Sequence, residues 1–175
     1  MLNENLVETY TTSLREHWDD PLYADWRGQT LTHGDVAHRI LMLHAIFADA
    51  GVEKGDKIAV VGRNSAHWAV TYWATLTYGA VIVPILPDFT GEEIHHIVSH
   101  SDSVLLFAAD PIYDRLDDER MKHLKGIFRL EDFSLRSHNQ KQLPQVVQKA
   151  RDGYRDRFAD PVDALTECLR EVLDP

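Results

Sequence analysis

Residues 57–87 read KIAVVGRNSAHWAVTYWATLTYGAVIVPILP, and from Asn64 to Pro87 the run carries no Asp, Glu, Lys or Arg. Such a stretch is either a membrane span or a buried helix joined to a strand. A span needs about 20 unbroken apolar residues. Here Gly79 and Pro84 punctuate the run, and Asn64, Ser65, His67, Thr71, Thr75 and Thr77 place polar groups along it. The residue types also change partway. Ser65 to Tyr78 is rich in Ala, Trp and Tyr, whereas Ala80 to Ile85 is short and β-branched, as a buried strand should be. The pattern predicts a strand over 57–61, a helix over 65–78 and a second strand over 80–83. That is one βαβ unit, whose parallel strands require helices on both faces.

Before this unit, Leu6, Val7, Tyr10, Leu14 and Trp18 share one helical face between Asn5 and Trp18, and Asp19-Asp20-Pro21 stops the helix. Residues 22–26 and 30–31 flank Arg27-Gly28-Gln29 and predict a small hairpin. Thr32 and Asp35 have capping-box spacing, opening a helix that buries Val36, Ile40, Leu43 and Phe47 and ends at a left-handed Gly51. After it, a second box at Thr90 and Glu93 starts a helix through Ile94, Ile97 and Val98, followed by a buried strand over 104–108. Strand and helix therefore alternate over 57–108, the pattern of an open α/β sheet. Beyond it, helices are predicted over 111–121 and 143–153 and a strand over 126–130. In the last helix Asp160 is the cap, Pro161 the first residue, and Leu165, Cys168, Leu169, Val172 and Leu173 one apolar face.

The 175 residues suffice for one domain with a real core. A formal charge of −10 argues against nucleic acid and anionic membrane surfaces as partners. One cysteine allows no internal disulfide and fits a reducing cytoplasmic location, and the N-terminus lacks the basic start and apolar block of a signal peptide. Residues 1–109 hold 14 acidic and 6 basic side chains, a net of −8; residues 110–175 hold 14 and 12, a net of −2. The expected organisation is a core α/β subdomain over 1–109 and a charged extension of the same domain over 110–175.

No complete catalytic constellation emerges. The turn Val61-Gly62-Arg63-Asn64-Ser65 stands where an α/β fold binds phosphate at a helix N-terminus, but its single glycine matches neither G-x-G-x-x-G nor a Walker A loop, and Asn64 or Ser65 can simply cap the helix. His96 and His100, four apart, offer two coordination positions for zinc; with His95 they read better as surface histidines. Glu92 and Glu93 point in different directions, so acid–base work by a carboxylate pair is not expected. Ser65 with His67 lacks the G-x-S-x-G elbow of a hydrolase. Trp68, Tyr72, Trp73 and Tyr78 recur at near-helical spacing and read as core before they read as a ligand wall, and Cys168 reads as an inert buried thiol.

Five pieces in order, LTHGDVAHRI (31–40), GVEKGDKIAVVGRNSAHW (51–68), YGAVIVPILP (78–87), EEIHHIVSHS (92–101) and VLLF (104–107), make the chain resemble the N-terminal part of the adenylate-forming acyl-CoA synthetases, the AMP-binding superfamily that includes long-chain fatty-acid–CoA ligases. The resemblance covers about half the chain. It implies a three-layer αβα fold with a mostly parallel sheet, and a parent enzyme that joins a fatty acid to CoA through an acyl-adenylate, using ATP and Mg²⁺. The family's T-T-G-x-P-K-G phosphate loop, Y-G-x-T-E motif, T-G-D motif and C-terminal lid with its lysine are missing from the chain. No catalytic, cofactor-binding or metal residue can therefore be carried over. What the resemblance implies is a structural portion, inactive alone, whose partners are the rest of its parent chain and, in the parent, the fatty acid. The last helix would be covered by that absent part, and its Leu165, Leu169 and Val172 would support self-association. The rival expectations are a stand-alone α/β binding or regulatory module and, more remotely, a hydrolase using Ser65.

Overall fold

The structure, a computed structural model, describes residues 2–173. Pro175, where the expectation of a missing continuation starts, lies outside the described residues, as do the side chains of residues 2–5. The chain runs α1 (Leu2–Glu16), β1 (Pro21–Ala24), β2 (Thr30–Thr32), α2 (His33–Asp49), β3 (Lys57–Val61), α3 (Ala66–Tyr78), β4 (Val81–Ile85), α4 (Gly91–His100), β5 (Ser103–Ala108), α5 (Asp110–Tyr113), a 3₁₀ turn (Asp118–Met121), β6 (Gly126–Arg129), β7 (Leu135–His138), α6 (Leu143–Arg157) and α7 (Pro161–Leu173).

β1 and β2 form the expected antiparallel hairpin. The main sheet has the order β4-β3-β5-β6-β7, with all pairs parallel except β6–β7. Its side chains alternate between two cores, as a pleated strand requires. Ile58, Val60, Leu105, Phe107 and Phe128 enter the core shared with α1, α2, α3, α6 and α7. Ala59, Val61, Leu106, Ala108 and Ile127 enter the core shared with α4, α5 and the 3₁₀ turn. The architecture is thus three-layered, helix–sheet–helix, with a mostly parallel sheet.

The charge-free run forms the predicted strand–helix–strand unit, and the threonines of α3 are satisfied locally. The hydroxyls of Thr71, Thr75 and Thr77 donate to the carbonyls of His67, Thr71 and Trp73, four residues back, at 2.9, 2.8 and 2.7 Å. Gly79 ends α3 at φ 85°, a left-handed conformation that a β-carbon would strain. Both capping boxes form, at Thr32–Asp35 and Thr90–Glu93, and Gly51 is left-handed at φ 68°.

Four expectations are corrected. β4 is an edge strand, shifted to residues 81–85 and half exposed (Val81 47%), because β3 covers only one of its sides. The helix expected over 111–121 is two short pieces, α5 and the 3₁₀ turn, separated by exposed and half-buried residues. β7 appears where no strand is predicted: it carries the weak sequence LRSH and pairs through its backbone with β6. Finally, most of the apolar face of α7 is already covered. Leu165 is 0% and Leu169 6% exposed, with α7 lying on α1, α2 and α3, so these two offer no free surface for self-association, while Val172 remains half-buried. The Thr11 and Thr166 hydroxyls join α1 to α7 at 2.8 Å, and Arg15 pairs with Asp163 at 2.6 Å.

Candidate functional site

A ligand site in an open α/β sheet lies outside the carboxyl ends of the strands, where neighbouring connections leave in opposite directions. Here the chain leaves β3 for β4 on one side, then crosses back to β5 on the other. A crevice of about 630 Å³ opens at this point. Its walls come from the residues that follow all four parallel strands: Arg63, Asn64 and Ser65 after β3, Pro87 and Asp88 after β4, Ala109, Pro111 and Ile112 after β5, and Leu130 and Glu131 after β6. Asp25 and Gln29 of the β1–β2 hairpin close one rim. A β-carbon at Gly62 would sit 2.5 Å from the Cδ2 end of the Leu130 side chain, which lines the crevice.

The start of α3, where α/β folds can bind phosphate and where a simple cap is expected here, is taken by the protein itself. Ser65 Oγ accepts the Trp68 N–H at 3.1 Å, and Asp25 Oδ1 accepts the Ala66 N–H at 2.8 Å. A carboxylate at a helix N-terminus is favoured by the same dipole that would attract a phosphate. Asp25 therefore stands in for the anion, and Ser65 is a cap rather than a nucleophile. His67 is buried, and its Nδ1 meets Gln29 Nε2 at 2.9 Å. Burial and then the Arg39 charge push its pKa down, so the ring is neutral near pH 7. Phe133 packs edge-on against the ring at 4.8 Å.

The remaining candidates sit elsewhere. His96 and His100 are exposed and stack 5.7 Å apart on α4. His95 corrects the surface reading: it is buried, and its Nε2 accepts the Asp117 N–H at 3.0 Å. Glu93 accepts the Thr90 N–H at 2.7 Å while Glu92 pairs with Arg120, so the two carboxylates diverge. Trp68, Trp73 and Tyr78 are half-buried against the larger core, and Tyr72 stacks on Trp68; Trp73 Nε1 donates to the Tyr23 hydroxyl at 3.0 Å, and Tyr78 donates to the Val52 carbonyl at 2.9 Å. Cys168 is half-buried beside His44 Nδ1 at 3.7 Å, and burial raises its thiol pKa, which fits an inert thiol. Among the described residues no group of three His, Cys, Asp or Glu is placed to hold a metal ion, and no helix is long and apolar enough to cross a membrane. Asp25 fills the first amide of α3, so that amide is not open to a phosphate.

The sequence flagged the Arg63–Ser65 turn but missed Asp25, Gln29 and the neighbours from β5 and β6. No local signal marks them, because they reach the crevice only through sheet order.

Fold and crevice together define an open α/β domain with its binding face at the ends of parallel strands. The chain belongs to the AMP-binding enzyme family, which matches residues 11–165. Surfactin synthase subunit 2 of Bacillus subtilis is 27% identical over 110 residues, which cover 63% of this chain and 3% of that protein. The long-chain-fatty-acid–CoA ligase heimdall of Drosophila melanogaster is 24% identical over 116 residues, 65% of this chain and 17% of that one. Among solved structures, a long-chain-fatty-acid-CoA ligase from Archaeoglobus fulgidus matches with a TM-score of 0.62 at 18% identity, covering 82% of this chain and 29% of the other. The chain thus spans under a third of each of these relatives. By their names they do not share one substrate.

Proposed function

We propose that this chain is the N-terminal portion of an ATP-dependent ligase that activates a long-chain fatty acid as an acyl-adenylate and transfers it to CoA. The family match over residues 11–165 carries the reading, and long-chain ligases among the relatives by sequence and by structure support the substrate. Adenylation concentrates negative charge at the transition state, and relieving it needs phosphate-loop donors, Mg²⁺ and a lysine. ATP, Mg²⁺ and CoA would be held by the remainder of the parent chain, which is also this portion's main partner, in the cytoplasm. The role of residues 1–175 is then scaffolding: two cores and a capped sheet that present the strand-end face to that remainder.

The test is to clone the reading frame through and beyond codon 175 and assay its product with a panel of acids from acetate to palmitate, following CoA-dependent AMP release. AMP release that is greatest with palmitate supports the reading; preference for an amino or aromatic acid retains the family but overturns the substrate. A second reading, a stand-alone binding module, is supported by the burial of Leu165 and Leu169 on α7. A stop codon directly after codon 175 would select it.

A further inference from the structure

A buried imidazole on α4 holds one wall of the crevice in place. His95 is 5% exposed, and its Nε2 meets the backbone N–H of Asp117 at 3.0 Å. A backbone N–H can only donate, so Nε2 must be the bare, accepting nitrogen. The single proton of the neutral ring then sits on Nδ1, and that atom is buried without a hydrogen-bond partner. A ring fixed in this way has no place for a second proton. On Nε2 that proton would point at the N–H it faces, and the charged ring would still lack an acceptor at Nδ1.

The groups around the ring do not offset this cost. Arg120 opposes a positive ring, and Glu92, which would favour one, is already paired with Arg120. Asp118 accepts the Tyr113 hydroxyl of α5 at 2.8 Å, and Asp117 Oδ1 accepts the Glu119 N–H at 3.1 Å. β5, which packs on α4 from the sheet side, brings no charge. Burial and then Arg120 hold the His95 pKa below the ordinary imidazole value.

Residues 114–120 run from α5 into the 3₁₀ turn and carry Arg115 into the crevice wall. Buried Ile112 and Met121 anchor the two ends of this segment. Among the described residues, three polar contacts tie it to α4 and to the chain leading into α4: Arg115 to the Pro87 carbonyl at 3.1 Å, Asp117 to His95, and Arg120 to Glu92. The first and third use exposed side chains and are weak. Only the His95 contact has a buried partner.

We propose that His95 is an acid-released latch: a solvent proton on Nε2 displaces the Asp117 N–H, and residues 114–120 come away from α4, taking Arg115 out of the crevice wall. Opening exposes the ring to water. The open form therefore takes up the proton near the ordinary imidazole pKa of about 6.5, and the closed form only at lower pH. The closed state is complete above that value and is lost as pH falls below it. The latch operates whether or not the parent is a ligase.

The test is amide exchange of the ¹⁵N-labelled chain at pH 7 and pH 5, read as protection factors, which divide out the intrinsic pH dependence of exchange. The Asp117 and Arg120 amides should lose about tenfold in protection over that range, because one proton bound on opening shifts the equilibrium by up to about tenfold per pH unit. In His95→Gln the side-chain Oε1 can take the Asp117 N–H but does not titrate there. The same two amides should then lose less than about threefold, while amides of β3 respond to pH as in the unsubstituted chain. Long-range ¹H–¹⁵N spectra at pH 7 should place the His95 proton on Nδ1. Should His95→Gln fail to fold, the unsubstituted chain alone still decides. A proton on Nε2 at pH 7, or Asp117 and Arg120 protection that holds down to pH 5, would overturn the latch. So would an equal loss in His95→Gln.

Discussion

Two regions of one sheet are held by different physics. β3, β4 and β5 with α3 carry almost no charge; Ile58, Val60, Leu105 and Phe107 are sealed, and hydrogen bonds within α3 absorb its polar groups. Residues 110–138, which complete the sheet, seal Ile127, Phe128 and Phe133 as well but add a set of ion pairs. Arg129 Nε meets Asp110 at 2.7 Å and Arg129 Nη1 meets Asp132 at 3.1 Å, Arg136 reaches Asp110 at 3.2 Å, and Arg120 pairs with Glu92. Burial is insensitive to salt, whereas half-exposed ion pairs are screened by it. The first region should therefore set global stability and the second should open locally.

The largest expected effect is in the buried region. Phe107 stacks on Phe128 at 5.0 Å and meets Phe47 and Phe133 edge-on. Phe107→Ala should lower unfolding free energy by about 3–5 kcal/mol, read as a shift in urea midpoint. Next comes acid. His44 is fully buried between α2 and α3, and burial lowers its pKa to about 4, against a partly opposing hydrogen bond to the Ala74 carbonyl. The unfolded chain takes up this proton near pH 6.5, the folded chain only near 4. Stability is thus complete above about 6.5 and falls between there and 4, by about 3 kcal/mol in all. His44→Gln should flatten that slope; a slope unchanged by the substitution would remove His44 as its source. Ser65→Ala, which deletes the α3 cap, should cost about 1 kcal/mol. Smallest of all, Arg129→Gln should leave the thermal midpoint almost unmoved while speeding amide exchange in β6 and β7, more so at low salt. Equal effects on β3 and β6 would erase the contrast.

The same contrast explains what could be read from the chain in advance. Where burial dominates, residue type and period carry the structure: the βαβ unit, both capping boxes and the Asp160–Pro161 start of α7 were legible. Two N–H groups of α7, those of Val162 and Asp163, do bond to Asp160 Oδ1 at 2.9 and 3.0 Å. Where pairing is through backbone and charge, the residues look like loop. Leu135–His138 has no apolar alternation and becomes a strand only because β6 has an open side. The exposure of β4 was invisible for the complementary reason, that strand order and not strand sequence decides which strand is the edge. The crevice divides the same way: Arg63, Asn64 and Ser65 are local, whereas Asp25 and Gln29 from the hairpin and Glu131 after β6 are brought in from two other segments.

That residues 1–175 support an active site without forming one is tested most directly by palmitate-dependent exchange of labelled pyrophosphate into ATP, with the purified chain alone and Mg²⁺ present. The account predicts exchange no faster than the protein-free blank. Exchange above it, abolished by omitting palmitate, would contradict the account.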